Sequence, residues 1–293
     1  MISFAASRTI AFQAQECERI MAIARARPSY IVPNGMAVDG SPERIAHTLE
    51  TYGHTLVQGE SFHIASEPGE LICLAARTVP LWPLRHSDLP TPFAAFFHFT
   101  NRPPVRTPTG PQLLEAISYC GFRKTTGPFR IVPAGDATQL DGVHIHWLFD
   151  SGGVIDDSWW FGSTSPRRVA WADPGEELDR LFVSLLAFLQ QRVLVRHRDE
   201  PNRSARKLGE RAGLDRNHCN VILLRKAKTP GDSSNEAGQL RDWSCRWWVA
   251  GHWRQQPCGE GRAERRPTWI APYLKGPEDK PLRVKKRLFA VVR

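Results

Sequence analysis

The chain has 293 residues, 41% of them hydrophobic and 24% charged, an ordinary globular composition with length for one sizeable core or two modest ones. Its six cysteines show no paired short spacing, Met1-Ile-Ser-Phe-Ala-Ala-Ser-Arg lacks a basic segment followed by a long apolar one, and the most apolar run, Leu181–Leu189, would extend only about 14 Å as a helix. These features predict a reduced, cytoplasmic protein without a membrane span, and the net charge of +9 lies unevenly: 15 basic and 19 acidic groups in 1–191, against 24 and 11 in 192–293.

In chain order, Gln13 to Ala26 places Cys17, Ile20, Met21 and Ala24 on one helical stripe that Pro28 terminates, and Ser41-Pro42 reads as the cap and first turn of a second helix with Ile45 and Leu49 inward. Glu70–Ala76 and Phe93–Phe99 are short, apolar and Pro-bounded, which predicts buried strands, and Pro111 to Tyr119 predicts a short helix. Val143–Phe149 and Ser158–Phe161 flank Asp150-Ser-Gly-Gly-Val-Ile-Asp-Asp157, the strongest hairpin signal in the chain. Asp173-Pro174 with Glu176 opens what reads as the longest helix, with Leu178, Leu181, Phe182, Leu185 and Leu189 on one stripe and Arg192, Arg196 and Arg198 in its last turns. A basic helix from Ser204 to Ala212 ends at Gly213, the strand Asn220–Leu224 follows, and 229–240, rich in Gly, Ser and Asn, reads as a linker. The expected fold class is α+β: a mixed helix and strand domain over 1–228, then a small, Trp- and Arg-rich antiparallel β module over 241–293.

The β module carries the functional signal. It holds five of the ten tryptophans and 13 Lys and Arg against 5 Asp and Glu, a density of rings and guanidinium groups suited to an anionic partner. From Trp243 to Arg254 the odd positions (Trp243, Cys245, Trp247, Val249, Trp253) are apolar, whereas Arg246, Trp248, His252 and Arg254 alternate with them, so a continuous strand would present those four on one exposed face. Cys258-Gly-Glu-Gly-Arg262 follows, beside Arg265 and Arg266. It can be read as a plain hairpin turn or as an amide loop that cradles an anion, but not as a dinucleotide fingerprint, since the third glycine and a following helix are missing.

Other constellations are weaker. Cys245, His252 and Cys258 lack the paired knuckles of a structural zinc site, and Cys120 and the Ser163/Ser165 region lack an elbow or a neighbouring base. His144 and His146, with Asp150, Asp156 and Asp157 across the hairpin, could hold a metal, although surface histidines and turn aspartates explain the same residues. The helix from Arg203 to Arg211 suits either a phosphate contact or a solvated face.

The string Arg246-Trp-Trp-Val-Ala-Gly-His252-Trp-Arg-Gln-Gln-Pro-Cys-Gly-Glu-Gly-Arg262, followed by Arg266-Pro-Thr-Trp-Ile-Ala-Pro-Tyr-Leu-Lys275-Gly-Pro-Glu-Asp-Lys-Pro-Leu282, resembles the C-terminal module of largely uncharacterised proteins of phages, plasmids and actinobacterial genomes. It is also similar to the tail of a phage-borne anti-CRISPR family directed against type V-A effectors, whose members act on effector biosynthesis. The resemblance covers about the last fifth of the chain and implies a mobile-element inhibitor rather than an enzyme on small molecules.

The expected function is therefore non-catalytic binding of a nucleic acid, RNA before DNA, or of a ribonucleoprotein or nascent-chain complex. Arg246, Trp248, His252, Arg254, Arg262, Arg265, Arg266 and Lys275 would be the contact residues, with no cofactor and no metal. The alternatives are a metal-dependent nuclease built on His144, His146 and the Asp156/Asp157 pair, and a module that recognises an acidic polypeptide.

Overall fold

The computed structural model describes residues 2–25, 56–57, 59–107, 110–123, 130–131, 140–152, 154–166, 176–191, 193–214, 218–225, 244–277 and 279–283. The expected helix from Ser41, the opening of the helix at Asp173-Pro174, the linker at 229–240 and Trp243 lie outside these ranges. The chain divides into two compact units, Met1–Arg225 and Lys226–Arg293, and its architecture is α+β, with every described α-helix in the first unit. Among the described residues no helix is long and apolar enough to cross a membrane.

The N-terminal unit is built on one mixed sheet. Its strands are β1 (Glu60–Ile64), β2 (Ala94–Phe99), β3 (Pro104–Thr107), β4 (Gly110–Arg123), β5 (Arg130–Ile131), β6 (Gly142–Phe149), β7 (Val154–Trp160), β8 (Leu194–Asp199) and β9 (Cys219–Leu224). The spatial order is β7-β6-β4-β2-β1-β9-β8, with β3 and β5 also paired to β4. Only β1 runs parallel to its neighbours β2 and β9; the other pairings are antiparallel. The strands β2 and β6 are buried at every position, on both faces of the sheet, the histidines at 98, 144 and 146 included.

Helices α1 (Ile2–Arg25), α2 (Ser66–Ala76), α3 (Glu176–Leu189) and α4 (Arg203–Arg211) cover the sheet. Ala6, Ile10, Ala14 and Cys17 of α1 form a stripe at helical spacing that packs with Phe96, Ala116, Leu148, Ala205 and Cys219. The other sheet face, which presents Tyr119, Trp147 and Trp159, meets Phe182 of α3 at ring-centroid distances of 6.2, 6.2 and 6.0 Å. The Ser184 hydroxyl donates to the Ile72 carbonyl at 2.9 Å and ties α3 to α2.

Four sequence expectations are corrected. Residues 70–76 are helix, because Gly69, Ile72 and Ala76 make a buried stripe of period 3–4 and Glu67 and Pro68 suit a first helical turn. Residues 111–119 belong to the 14-residue strand β4, which fills the slot between β2 and β6; neighbours on both sides override the helical spacing of Leu113, Leu114 and Ile117. Helix α1 starts at Ile2, well before Gln13, and at 24 residues it, not α3, is the longest helix described. Arg196 and Arg198 lie on β8, an edge strand, rather than in the last turns of α3. Strands β2 and β9 and helix α4 occur where expected, α4 ending before Gly213 at φ +77°, and the hairpin also forms, but its second strand starts at Val154, inside the segment read as its turn, so Asp157 is a strand residue.

Candidate functional site

The C-terminal unit contains two small antiparallel ladders. One pairs β10 (Trp247–Val249) with β13 (Tyr273–Lys275), in the register Trp247↔Lys275, Trp248↔Leu274 and Val249↔Tyr273. The other pairs β11 (His252–Cys258) with β12 (Glu264–Ile270), in a seven-pair ribbon from His252↔Ile270 to Cys258↔Glu264. The single strand expected over Trp243–Arg254 is thus interrupted at Ala250-Gly251. A Cβ on Gly251 would collide with the Trp269 indole ring, so glycine is required where the chain passes it.

Directly paired residues share a face, so the ribbon sorts its side chains without ambiguity. His252, Arg254 and Gln256 lie on one face with Thr268 and Arg266; Trp253, Gln255 and Pro257 lie on the other with Trp269, Pro267 and Arg265. Trp253 and Trp269 pack edge to face at 5.4 Å, and Trp269 is 5% exposed. They form the apolar side. Arg254 and Arg266 are exposed on the polar side as diagonal neighbours, a placement that sets their Cβ atoms about 7 Å apart.

The remaining expected contact residues scatter. Trp248 is 61% exposed beside Leu274 at 46%, whereas Trp247 is half-buried with the Lys275 ammonium 5.9 Å from its ring centroid. Arg246 is half-buried and its Nε donates to the Lys280 carbonyl at 2.9 Å, so it anchors the segment at Pro281–Arg283 instead of sharing an open face with Arg254. His252 is exposed, and its Nδ1 lies 3.0 Å from the Ala250 carbonyl, so that nitrogen donates. Arg265 is exposed on the face opposite Arg254. Arg262 is exposed in the turn at φ 60°.

The glycine loop is a hairpin turn. The Arg262 amide donates to the Gly259 carbonyl at 3.2 Å and the Ala263 amide to the Glu260 carbonyl at 3.4 Å, so two of the amides that could cradle an anion close the turn instead. His252 and Cys258 stand at opposite ends of β11, about 20 Å apart at the rise of a strand, and cannot share an ion.

The histidine-based metal reading also changes. His144 and His146 are 8% and 1% exposed on one sheet face, and Ser158 approaches His144 Nδ1 to 2.7 Å. Asp157 pairs with Ile145, which puts it on the opposite face, where its carboxylate accepts from the Trp147 indole N–H at 2.9 Å. Asp157 therefore cannot complete a site with the two imidazoles, whereas Asp156 pairs with His146 in the register.

Sequence reasoning missed a buried polar cluster under α1. The Thr9 hydroxyl lies 2.9 Å from His63 Nδ1 and 3.0 Å from His98 Nδ1, and Thr100 Oγ1 lies 2.8 Å from His63 Nε2. One hydroxyl has one proton. If it goes to His63 Nδ1, then His98 must donate its own Nδ1–H to Thr9, and His63 Nε2–H donates to Thr100. Both rings are then neutral. Burial, with Arg8 adding to it, lowers His63 to a pKa of about 4; burial, then His63, Arg8 and Arg102, lowers His98 to about 3. A second bond ties the same helix and strand together, the Ser61 hydroxyl of β1 donating to the Gln13 side-chain carbonyl of α1 at 2.6 Å. The cluster's members are far apart in sequence, so no local motif could have revealed it.

No family model matches the chain and no curated protein matches it. Among solved structures it is similar to the crystal structure of AcrVA2, at 11% identity and a TM-score of 0.38, with 79% of this chain and 77% of that chain covered. So loose a superposition carries no argument about fold or activity.

Proposed function

We propose that the protein is a non-catalytic binder that takes a single-stranded nucleic acid, RNA in the first instance, on the polar face of the β11–β12 ribbon. The observation that supports this most directly is the exposed, same-face placement of Arg254 and Arg266, flanked by the hydrogen-bonding groups of His252, Gln256 and Thr268. Guanidinium groups neutralise phosphates, and Trp248, with most of its ring open, offers a stacking platform for a base. Arg262 and Lys275 add positive charge on the same unit. The resemblance of Arg246–Leu282 to an anti-CRISPR tail makes a ribonucleoprotein, or a nascent-chain complex that presents its RNA, the specific target in this proposal, and a mobile-element inhibitor the role.

A salt titration of labelled RNA and DNA oligonucleotides by fluorescence anisotropy tests it. With about four to six phosphates neutralised, log affinity falls against log salt with a slope of roughly −3 to −4. Replacing Arg254 and Arg266 together by alanine flattens the slope by about 1.4, whereas Trp248→Ala weakens binding by about 1–3 kcal/mol and leaves the slope unchanged. Absence of binding to either oligonucleotide at low salt overturns the proposal and leaves an acidic polypeptide as the better partner.

A further inference from the structure

Helix α4 is strongly basic, and the ribbon site does not use it. Its nine residues hold Arg203, Arg206, Lys207 and Arg211 against Glu210 alone, in a unit whose 225 residues sum to only +1, with 24 basic and 23 acidic groups. The helix is held to α1 by its small residues. Ala205 and Gly209 are buried, a Cβ on Gly209 would come 3.2 Å from the Ile10 side chain, and the Asn202 amide donates to the Ser7 hydroxyl at 2.8 Å while its side chain caps the Ala205 amide at 2.9 Å.

With that face fixed inward, Arg203, Lys207 and Arg211 line up outward at i, i+4 and i+8, all exposed, at about 6 Å intervals along the axis. Like charges in such a row repel and cost helix stability. Local counterions do little to relieve this. Arg203 and Lys207 have no ion pair among the described residues, and Arg211 reaches only Glu18 at 3.9 Å, where both side chains are more than half exposed and the attraction is screened.

We infer that the α4 row is a second phosphate-contact surface, on the N-terminal unit, for the same class of ligand as the ribbon. The row commits three cations in a line to a polyanion, and a phosphodiester strand supplies evenly spaced charge along such a line. The inference rests on the nucleic-acid reading of the C-terminal unit, and the two can fail separately.

The test uses the full chain and a fluorescein-labelled single-stranded RNA. Three neutralised phosphates lost from a single strand correspond to a change in salt slope of about 2, so Arg203→Ala with Lys207→Ala and Arg211→Ala is expected to flatten the slope by that amount. Arg203→Lys with Arg211→Lys keeps the charge and is expected to keep the slope. If the alanine variant proves unfolded by circular dichroism, Arg203→Gln with Arg211→Gln is measured instead, with an expected flattening of about 1.4. Binding by the unaltered chain together with an unchanged slope in the neutralised variant overturns the α4 surface and leaves the ribbon reading standing. Failure of the unaltered chain to bind any RNA or DNA overturns both, and binding of an acidic polypeptide in its place assigns both surfaces to protein recognition.

Discussion

The two units differ in how far they enclose their largest rings. In the N-terminal unit Trp147 and Trp159 are fully enclosed, packed with Phe182 between a sheet and a helix, while Trp82 and Trp160 are half-buried. In the C-terminal unit Trp247 and Trp253 are half-buried, Trp248 is mostly exposed, and Trp269 is the one described tryptophan that is buried. Size explains the contrast. Two short ladders enclose one indole, Trp269, and leave the others partly open, since surface grows relative to volume as a packed region shrinks, so the same residue type that builds a core in one region becomes available surface in the other. A high tryptophan content therefore argues for packing or for binding only once the element that carries it has been placed.

The sharpest test of this contrast is truncation. Phe182→Ala removes the ring that meets Tyr119, Trp147 and Trp159 and is expected to destabilise the N-terminal unit by about 3–5 kcal/mol in urea denaturation. Trp248→Ala is expected to stay within about 0.5 kcal/mol, as an exposed site does. Similar costs for the two would mean that Trp248 is enclosed in the folded protein, and the comparison would fail.

Acid should separate the units next. His63 and His98 have folded pKa values of about 4 and about 3, below the ordinary 6.5, so the unfolded chain binds protons that the folded one refuses. Their contribution to stability is fully present above pH 6.5 and is lost as pH falls through the window down to about 4 and 3. Each accounts for about 1.4 kcal/mol per pH unit within it. From pH 7 to 5.5 the N-terminal unit should lose about 2–3 kcal/mol by equilibrium unfolding, and Thr9→Val, which removes the shared hydroxyl, should alter that dependence. A flat stability profile over this range would remove the buried pair from the account.

The smallest effect is local. Gly251→Ala forces a methyl group against the Trp269 ring and should speed amide exchange along His252–Ile270 while β1, β2 and β4 keep their protection. Unchanged exchange in the ribbon would show that the chain can relax around the added carbon.

What could be read from the chain was what local chemistry specifies. The β6–β7 hairpin was legible from Asp150-Ser-Gly-Gly, and α4 from its basic run and the glycine after it. Within β11 the alternation of Trp253 against His252 and Arg254 was equally plain, because a period of two needs no knowledge of the partner strand. Tertiary structure decided the rest. Glu70–Ala76 and Pro111–Tyr119 are short apolar segments compatible with either period, and their states depend on which neighbours cover them. Arg246 lies outside the ribbon that carries Arg254, because the strand is interrupted at Ala250-Gly251, where the Trp269 ring, 18 residues further on, leaves room only for glycine. Thr9, His63 and His98 meet only because α1 lies across two parallel strands. A hydrogen-bond network among residues 54 and 89 positions apart is a property of the packed layers and has no signature in any window of sequence.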